Sequence, residues 1–104
     1  METTTTAEGR ISKGVRLFSL GQIVATPGAL QAMETAGNSA REFLVRHALG
    51  DWGELCEEDR QSNDEAMADD LRILSAYRLN DGTKIWIITE ADRSVTTVLL
   101  PEEY

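Results

Sequence analysis

The spacing of apolar side chains changes along this chain, and each change marks an element. Residues 1–14 are polar and threonine-rich with no apolar face, which predicts a flexible arm ahead of a single domain over 15–104. From Val15 to Ala25 the β-prone residues Val15, Leu17, Phe18, Leu20, Ile23 and Val24 predict a strand, interrupted by a bulge at Gly21. Thr26-Pro27 starts a helix, because Thr26 can cap it and Pro27 suits a first turn whose N–H would be unpaired anyway. Ala29, Leu30 and Met33 form its apolar stripe, and Gly37-Asn38 ends it. Ser39 with Glu42 reads as a capping box for a second helix, in which Phe43, Leu44, His47 and Ala48 share one face. Gly50 ends that helix, and Asp51-Trp52-Gly53 makes a tight loop.

Beyond Trp52 the apolar positions thin out. One straight helix from Glu54 to Leu71 would set Asp59 and Asp70 beside Leu55 and Ala66. A second capping box, Ser62 with Glu65, predicts a break instead: a turn over 54–60, then a helix over 63–70 with Ala66, Met67 and Leu71 inward. From Arg72 the period becomes two. Residues 72–79 and 84–90 flank the strong turn signal Asn80-Asp81-Gly82-Thr83, and Val95 to Leu100 returns once more before Pro101. The expected class is α+β: a helical N-terminal half on a C-terminal three-stranded antiparallel meander, with residues 15–25 as a candidate fourth strand.

Charge changes the picture more than composition does. The 104 residues carry a formal charge of −8. Residues 49–71 account for all of it, with nine acidic side chains against Arg60 alone, while the stretches on either side are each within one unit of neutral. So acidic a chain is a poor direct binder of nucleic acid or of anionic membrane, both of which need cationic surface. The single Cys56 excludes an internal disulfide and any multi-cysteine zinc site. No apolar run approaches a membrane span and no signal peptide is evident, so the expected location is the cytoplasm.

Three strings have a familiar form: Leu17 to Leu30 (LFSLGQIVATPGAL), Arg46 to Gly53 (RHALGDWG), and Leu74 to Tyr77 (LSAY) with Lys84 to Arg93 (KIWIITEADR) and Pro101 to Tyr104 (PEEY). Over residues 17–104 the chain resembles small bacterial proteins of plasmids and integrative elements. These are usually termed plasmid-related, and some are labelled a type I restriction modification subunit. The resemblance implies a mobile-element setting, in which small acidic proteins often disarm host defences such as restriction or CRISPR systems.

Three functional classes follow. In the first, Glu54, Glu57, Glu58, Asp59, Asp64, Glu65, Asp69 and Asp70, with Trp52 as an aromatic anchor, dock on a basic protein surface. Such a face would mimic DNA and act against a nucleic-acid-handling defence effector (anti-CRISPR or anti-restriction). The plainer readings are a solvated helical face that keeps the domain soluble, and a Trp52 tucked onto the core. In the second, a small metal-independent ribonuclease would use His47 as the acid–base, Arg93 on a phosphate, Glu90 to move a proton, and Tyr77, Thr89, Thr96 and Thr97 to orient substrate. Asp51, four residues beyond His47, could equally make that pair half of a metal site, or His47 could simply order its helix end. In the third, the chain is a structural or regulatory partner of a neighbouring protein. No metal-ligand spacing, phosphate loop or nucleophile elbow is present, so no cofactor or metal is expected. An edge strand of the meander offers a route to a homodimer.

Overall fold

The structure is a computed structural model; it describes residues 18–69 and 71–104, with only the backbone at 68 and 69. The expectations for the arm over 1–14, for the strand at 15–17 and for the side chains of Asp69 and Asp70 lie outside the described residues. The fold is α+β, with three helices and a four-stranded mixed sheet.

Local chemistry sets the helix ends as expected. Thr26 Oγ1 accepts from the Ala29 amide at 3.1 Å, and helix α1 (Pro27–Ala36) runs until Gly37 stops it at φ 77°. Ser39 and Glu42 make both bonds of the capping box that opens α2 (Ala40–Ala48). Helix α2 buries Phe43, Leu44, His47 and Ala48 together. Helix α1 buries Ala29 and Met33, but Leu30, expected on the same stripe, stands a further 100° round the helix from Ala29 and is 54% exposed.

The acidic segment departs from the expected break. Helix α3 is continuous over Glu57–Asp69. The Arg60 amide already bonds the Cys56 carbonyl at 3.0 Å, so the helical ladder is running before Ser62 can cap it. Leu71, expected inward, is exposed, because the chain leaves the helix there with its amide turned back to the Ala66 carbonyl.

Strands β2 (Ile73–Arg78), β3 (Lys84–Thr89) and β4 (Val95–Leu99) form the antiparallel meander. The fourth strand exists but is short. It is β1 (Gln22–Ala25), and it adds to β4 in parallel, giving the order β1-β4-β3-β2 and making the sheet mixed. Gly21 accounts for its late start: at φ 64° the backbone lies so close to β4 that a Cβ would fall on the Ser94 carbonyl. Alternation along the strands points Tyr77, Ile85, Ile87 and Val98 at α1 and α2, where they join Met33, Phe43 and Leu44 in the main core. A second cluster, Trp52, Ala66 and Ile73, seats α3.

The two edges of the sheet are finished differently. On β2, the outward backbone groups of Leu74 are taken by one side chain: Asn63 Nδ2 donates to the Leu74 carbonyl at 2.5 Å and Asn63 Oδ1 accepts from the Leu74 amide at 3.1 Å. The outward groups of Ala76 are taken by the loop before α3, through Glu54 N to Ala76 O at 2.7 Å and Ala76 N to Trp52 O at 3.1 Å. Asn63 thus imitates a neighbouring strand and carries α3 with it. Replacing it with alanine would leave two backbone groups unpaired in a half-buried setting, a cost of roughly 2–4 kcal/mol. We expect Asn63→Ala to lower the urea midpoint accordingly and to expose the Leu74 amide to hydrogen exchange before the rest of β2.

Candidate functional site

His47 is fully buried, and polar groups meet both of its ring nitrogens. Nδ1 lies 2.5 Å from Ser75 Oγ on β2 and Nε2 lies 2.9 Å from Thr89 Oγ1 on β3. Thr89 Oγ1 is 2.8 Å from Thr96 Oγ1 on β4, which donates to the Leu20 carbonyl at 2.7 Å. A carbonyl can only accept, so this last bond orients the rest. With its proton committed to Leu20, Thr96 accepts from Thr89. Thr89 then accepts from His47 Nε2–H, and Nδ1 accepts from Ser75. The imidazole is therefore the neutral Nε2–H tautomer, and the chain of donors runs one way across the sheet. Phe18 and Trp52 pack edge-on to the ring at centroid distances of 5.2 and 5.9 Å. Burial among these groups pushes the His47 pKa down to about 4.

Of the residues of the ribonuclease reading, Thr89 and Thr96 join His47 in its buried chain, and Thr97 lies on the opposite face of β4. The side chains of Tyr77, Glu90 and Arg93 make their contacts away from the imidazole. His47 faces hydroxyls, and Asp51 instead takes Arg46 Nε at 2.7 Å, which holds its carboxyl below the ordinary range. Tyr77 is buried and donates to the Asp51 carbonyl at 2.6 Å beneath the Arg46 guanidinium, and burial pushes its phenol pKa up. Glu90 lies 3.4 Å from Arg72 Nε. Arg93, at φ 61°, spends its guanidinium on main-chain carbonyls: Nη1 on Leu71, Glu90 and Ala91, and Nη2 on Ala66. It ties the end of α3 to the β3–β4 turn and lies over the Phe18 ring, with both terminal nitrogens engaged on main-chain carbonyls. Thr89 and Thr96, read as substrate-orienting hydroxyls, face inward to His47 and Leu20.

The acidic residues are arranged quite differently. Glu57, Glu58, Asp59, Asp64 and Glu65 are all exposed along α3. Among the described residues, only Asp64 of these five bonds the body of the domain, accepting from Trp52 Nε1 at 3.3 Å. Arg60, the one basic residue of the segment, turns inward, with Nε on the Leu55 carbonyl at 3.1 Å and Nη2 on the Gly53 carbonyl at 2.6 Å. Glu54 stands apart from the group in a bridge with Arg78 at 3.1 Å. Trp52, considered as an exposed anchor, is only 3% exposed and stacks on Phe18, so the docking set loses its aromatic. Placing Trp52 inside is what lets Asp64 and Phe18 meet it from two sides.

Sequence reading overlooked Asn63, Arg60 and Phe18, each of which joins α3 or its flanking loop to the sheet. The chain from Ser75 to Thr96 did leave a signal. All three hydroxyls fall on the inward phase of their strands, opposite a histidine on the apolar phase of α2. Among the described residues no group of three or more His, Cys, Asp or Glu side chains is placed to hold a metal ion, and no helix is long and apolar enough to cross a membrane. A scan against protein-family models finds no match, and no curated protein or solved structure matches the chain.

The depressed His47 pKa makes stability depend on pH with a definite sign. Between the ordinary value of 6.5 and about 4 the unfolded chain binds a proton that the folded chain refuses. Stability is therefore full above pH 6.5 and declines as pH falls toward 4, by about 3 kcal/mol in all. Urea midpoints measured across this range should fall in the native chain and vary less in His47→Gln, whose amide can replace both ring contacts without titrating. Imidazole nitrogen shifts at neutral pH should report the Nε2–H tautomer.

Proposed function

We propose that this protein acts by binding a basic protein surface through the outer face of α3, and that the surface is the nucleic-acid channel of a defence effector. One observation carries the reading: five carboxylates stand exposed over residues 57–65 while the only arginine among them is turned inward onto main-chain carbonyls. At 1.5 Å per residue these five span about 12 Å in two groups, 57–59 and 64–65, an average density of charge along the axis comparable to that of a nucleic-acid strand, about one per 3.4 Å. The face can thus take the place of a phosphate track. The mobile-element resemblance supplies the setting, in which the natural targets are restriction and CRISPR enzymes. The enzymatic alternative draws no comparable support, because His47, Tyr77 and Arg93 are each consumed in holding the fold.

The test is competition. The purified chain should displace duplex DNA from a restriction or CRISPR effector of its host, with affinity that falls steeply as salt rises. Replacing Glu57, Glu58, Asp59 and Glu65 by lysine, with Asp64→Asn to keep an acceptor for Trp52, should weaken binding by roughly a hundredfold or more. The matching glutamine and asparagine variant should lie between. Helicity needs checking in both, since acidic residues in the first turn of α3 favour the helix dipole. Binding that survives the charge reversal in a folded variant rejects the reading.

A further inference from the structure

The second edge of the sheet differs from the first in every respect that matters for association. Edge β2 is closed by Asn63 and the 52–54 loop. Edge β1 has no neighbouring strand among the described residues. The amides of Gln22 and Thr26 bond inward to Ser94 and Val98, so Ile23 and Ala25 turn their N–H and C=O groups outward. The strand Gln22-Ile-Val-Ala25 carries no charge and no proline, the usual means of discouraging strand pairing. Ile23, on the helix side of the sheet, is 49% exposed, and beside it an apolar groove of about 530 Å³ opens between β1 and α2, lined by Leu20, Leu44, Val45 and Leu49.

We infer that this edge is the interface for a second copy of the chain, joined by antiparallel β1–β1 pairing into a continuous eight-stranded sheet. A two-fold axis through Val24, normal to the sheet, sets Ile23 of each copy opposite Ala25 of the other, so the same outward donors and acceptors satisfy each other. The axis keeps both helical layers on one side and runs the two α2 helices antiparallel. Val45 and Leu49, exposed in the single chain, then meet their counterparts over the joined strands. Arg41, at the start of α2 and on the rim of the groove, is directed toward the C-terminal end of the opposing α2, where the helix dipole is negative. Electrostatics favours the same edge. The densest run of exposed carboxylates, Glu57, Glu58, Asp59, Asp64 and Glu65, lies on α3, which packs on β2 at the far side of the sheet. Glu42 on α2 and Glu103 beside Thr26 are exposed acids nearer β1, so the approach of two acidic chains along β1 keeps the main block of charge apart.

The full chain should sediment at twice its 11.5 kDa mass at micromolar concentration and dissociate on dilution. Ile23→Lys should weaken the dimer roughly tenfold or more, which is at least 1.4 kcal/mol. Val45→Lys, on the exposed face of a helix and harmless to folding, should do the same. The Ile23 and Ala25 amides should be protected from hydrogen exchange in the dimer and lose protection on dilution. A chain that stays monomeric at high concentration overturns the inference. So does a dimer indifferent to both lysine substitutions. Protection of those two amides in a monomer would also overturn it, and would identify the chain's own N-terminal residues as what covers the edge.

Discussion

The structure depends on a line of hydrogen bonds that crosses the sheet at right angles to its strands. Ser75, His47, Thr89, Thr96 and the Leu20 carbonyl belong in turn to β2, α2, β3, β4 and the segment leading into β1. A hydrophobic core tolerates small displacements, because dispersion forces are broad and undirected. A buried chain of donors does not, since one broken link strands a polar group with no water to replace its partner. Sliding any of these strands by one residue would turn its hydroxyl to the opposite face. The line therefore fixes the registers of three strands and the rotation of α2 together, beyond what apolar packing of the same residues would demand.

Helix α3 is held by a different logic. It has little apolar face; among the described side chains, Ala66 and Met67 make its hydrophobic contacts with the body. Directed bonds do the rest, with Asn63 as a surrogate strand on Leu74, Arg93 across its end, and Arg60 drawing in the loop before it. Two arginines of a strongly acidic protein are thus used as struts against carbonyl groups, where a planar fork with several donors serves better than a point charge would. This also accounts for the charge imbalance at the surface.

What could be read from the residues follows the range of the forces involved. Thr26-Pro27, the Ser39–Glu42 box, Gly37 and the Asn80–Thr83 turn act within a few positions of themselves, and each stands where it was expected. The meander was legible for the same reason, as its strands are successive and its turns are local. The parallel pairing of β1 with β4 joins residues some seventy positions apart and leaves no local trace beyond Gly21. The Ser62–Glu65 pattern misled because a capping box describes only what a helix start would look like, and the ladder from Cys56 had already begun. For the candidate site, the acidic block was visible as charge and is exposed, whereas the roles of Trp52, Arg93 and Tyr77 depended on long-range packing. His47 was visible as a lone histidine on an apolar face, but what met it was set by three separate strands.

The anchoring of α3 has one more consequence. The side chains that attach it, Arg60, Asn63, Ala66 and Met67, alternate along the helix with the exposed Glu57, Glu58, Asp59 and Glu65, and only the exposed Asp64 among the described carboxylates serves both purposes. Folding and display are therefore written largely in separate letters of the same thirteen-residue word. Substitutions on the outer face that keep a helix-compatible first turn and an acceptor at position 64 leave these attachments in place, so that face can drift or be redesigned under looser constraint than the inner one.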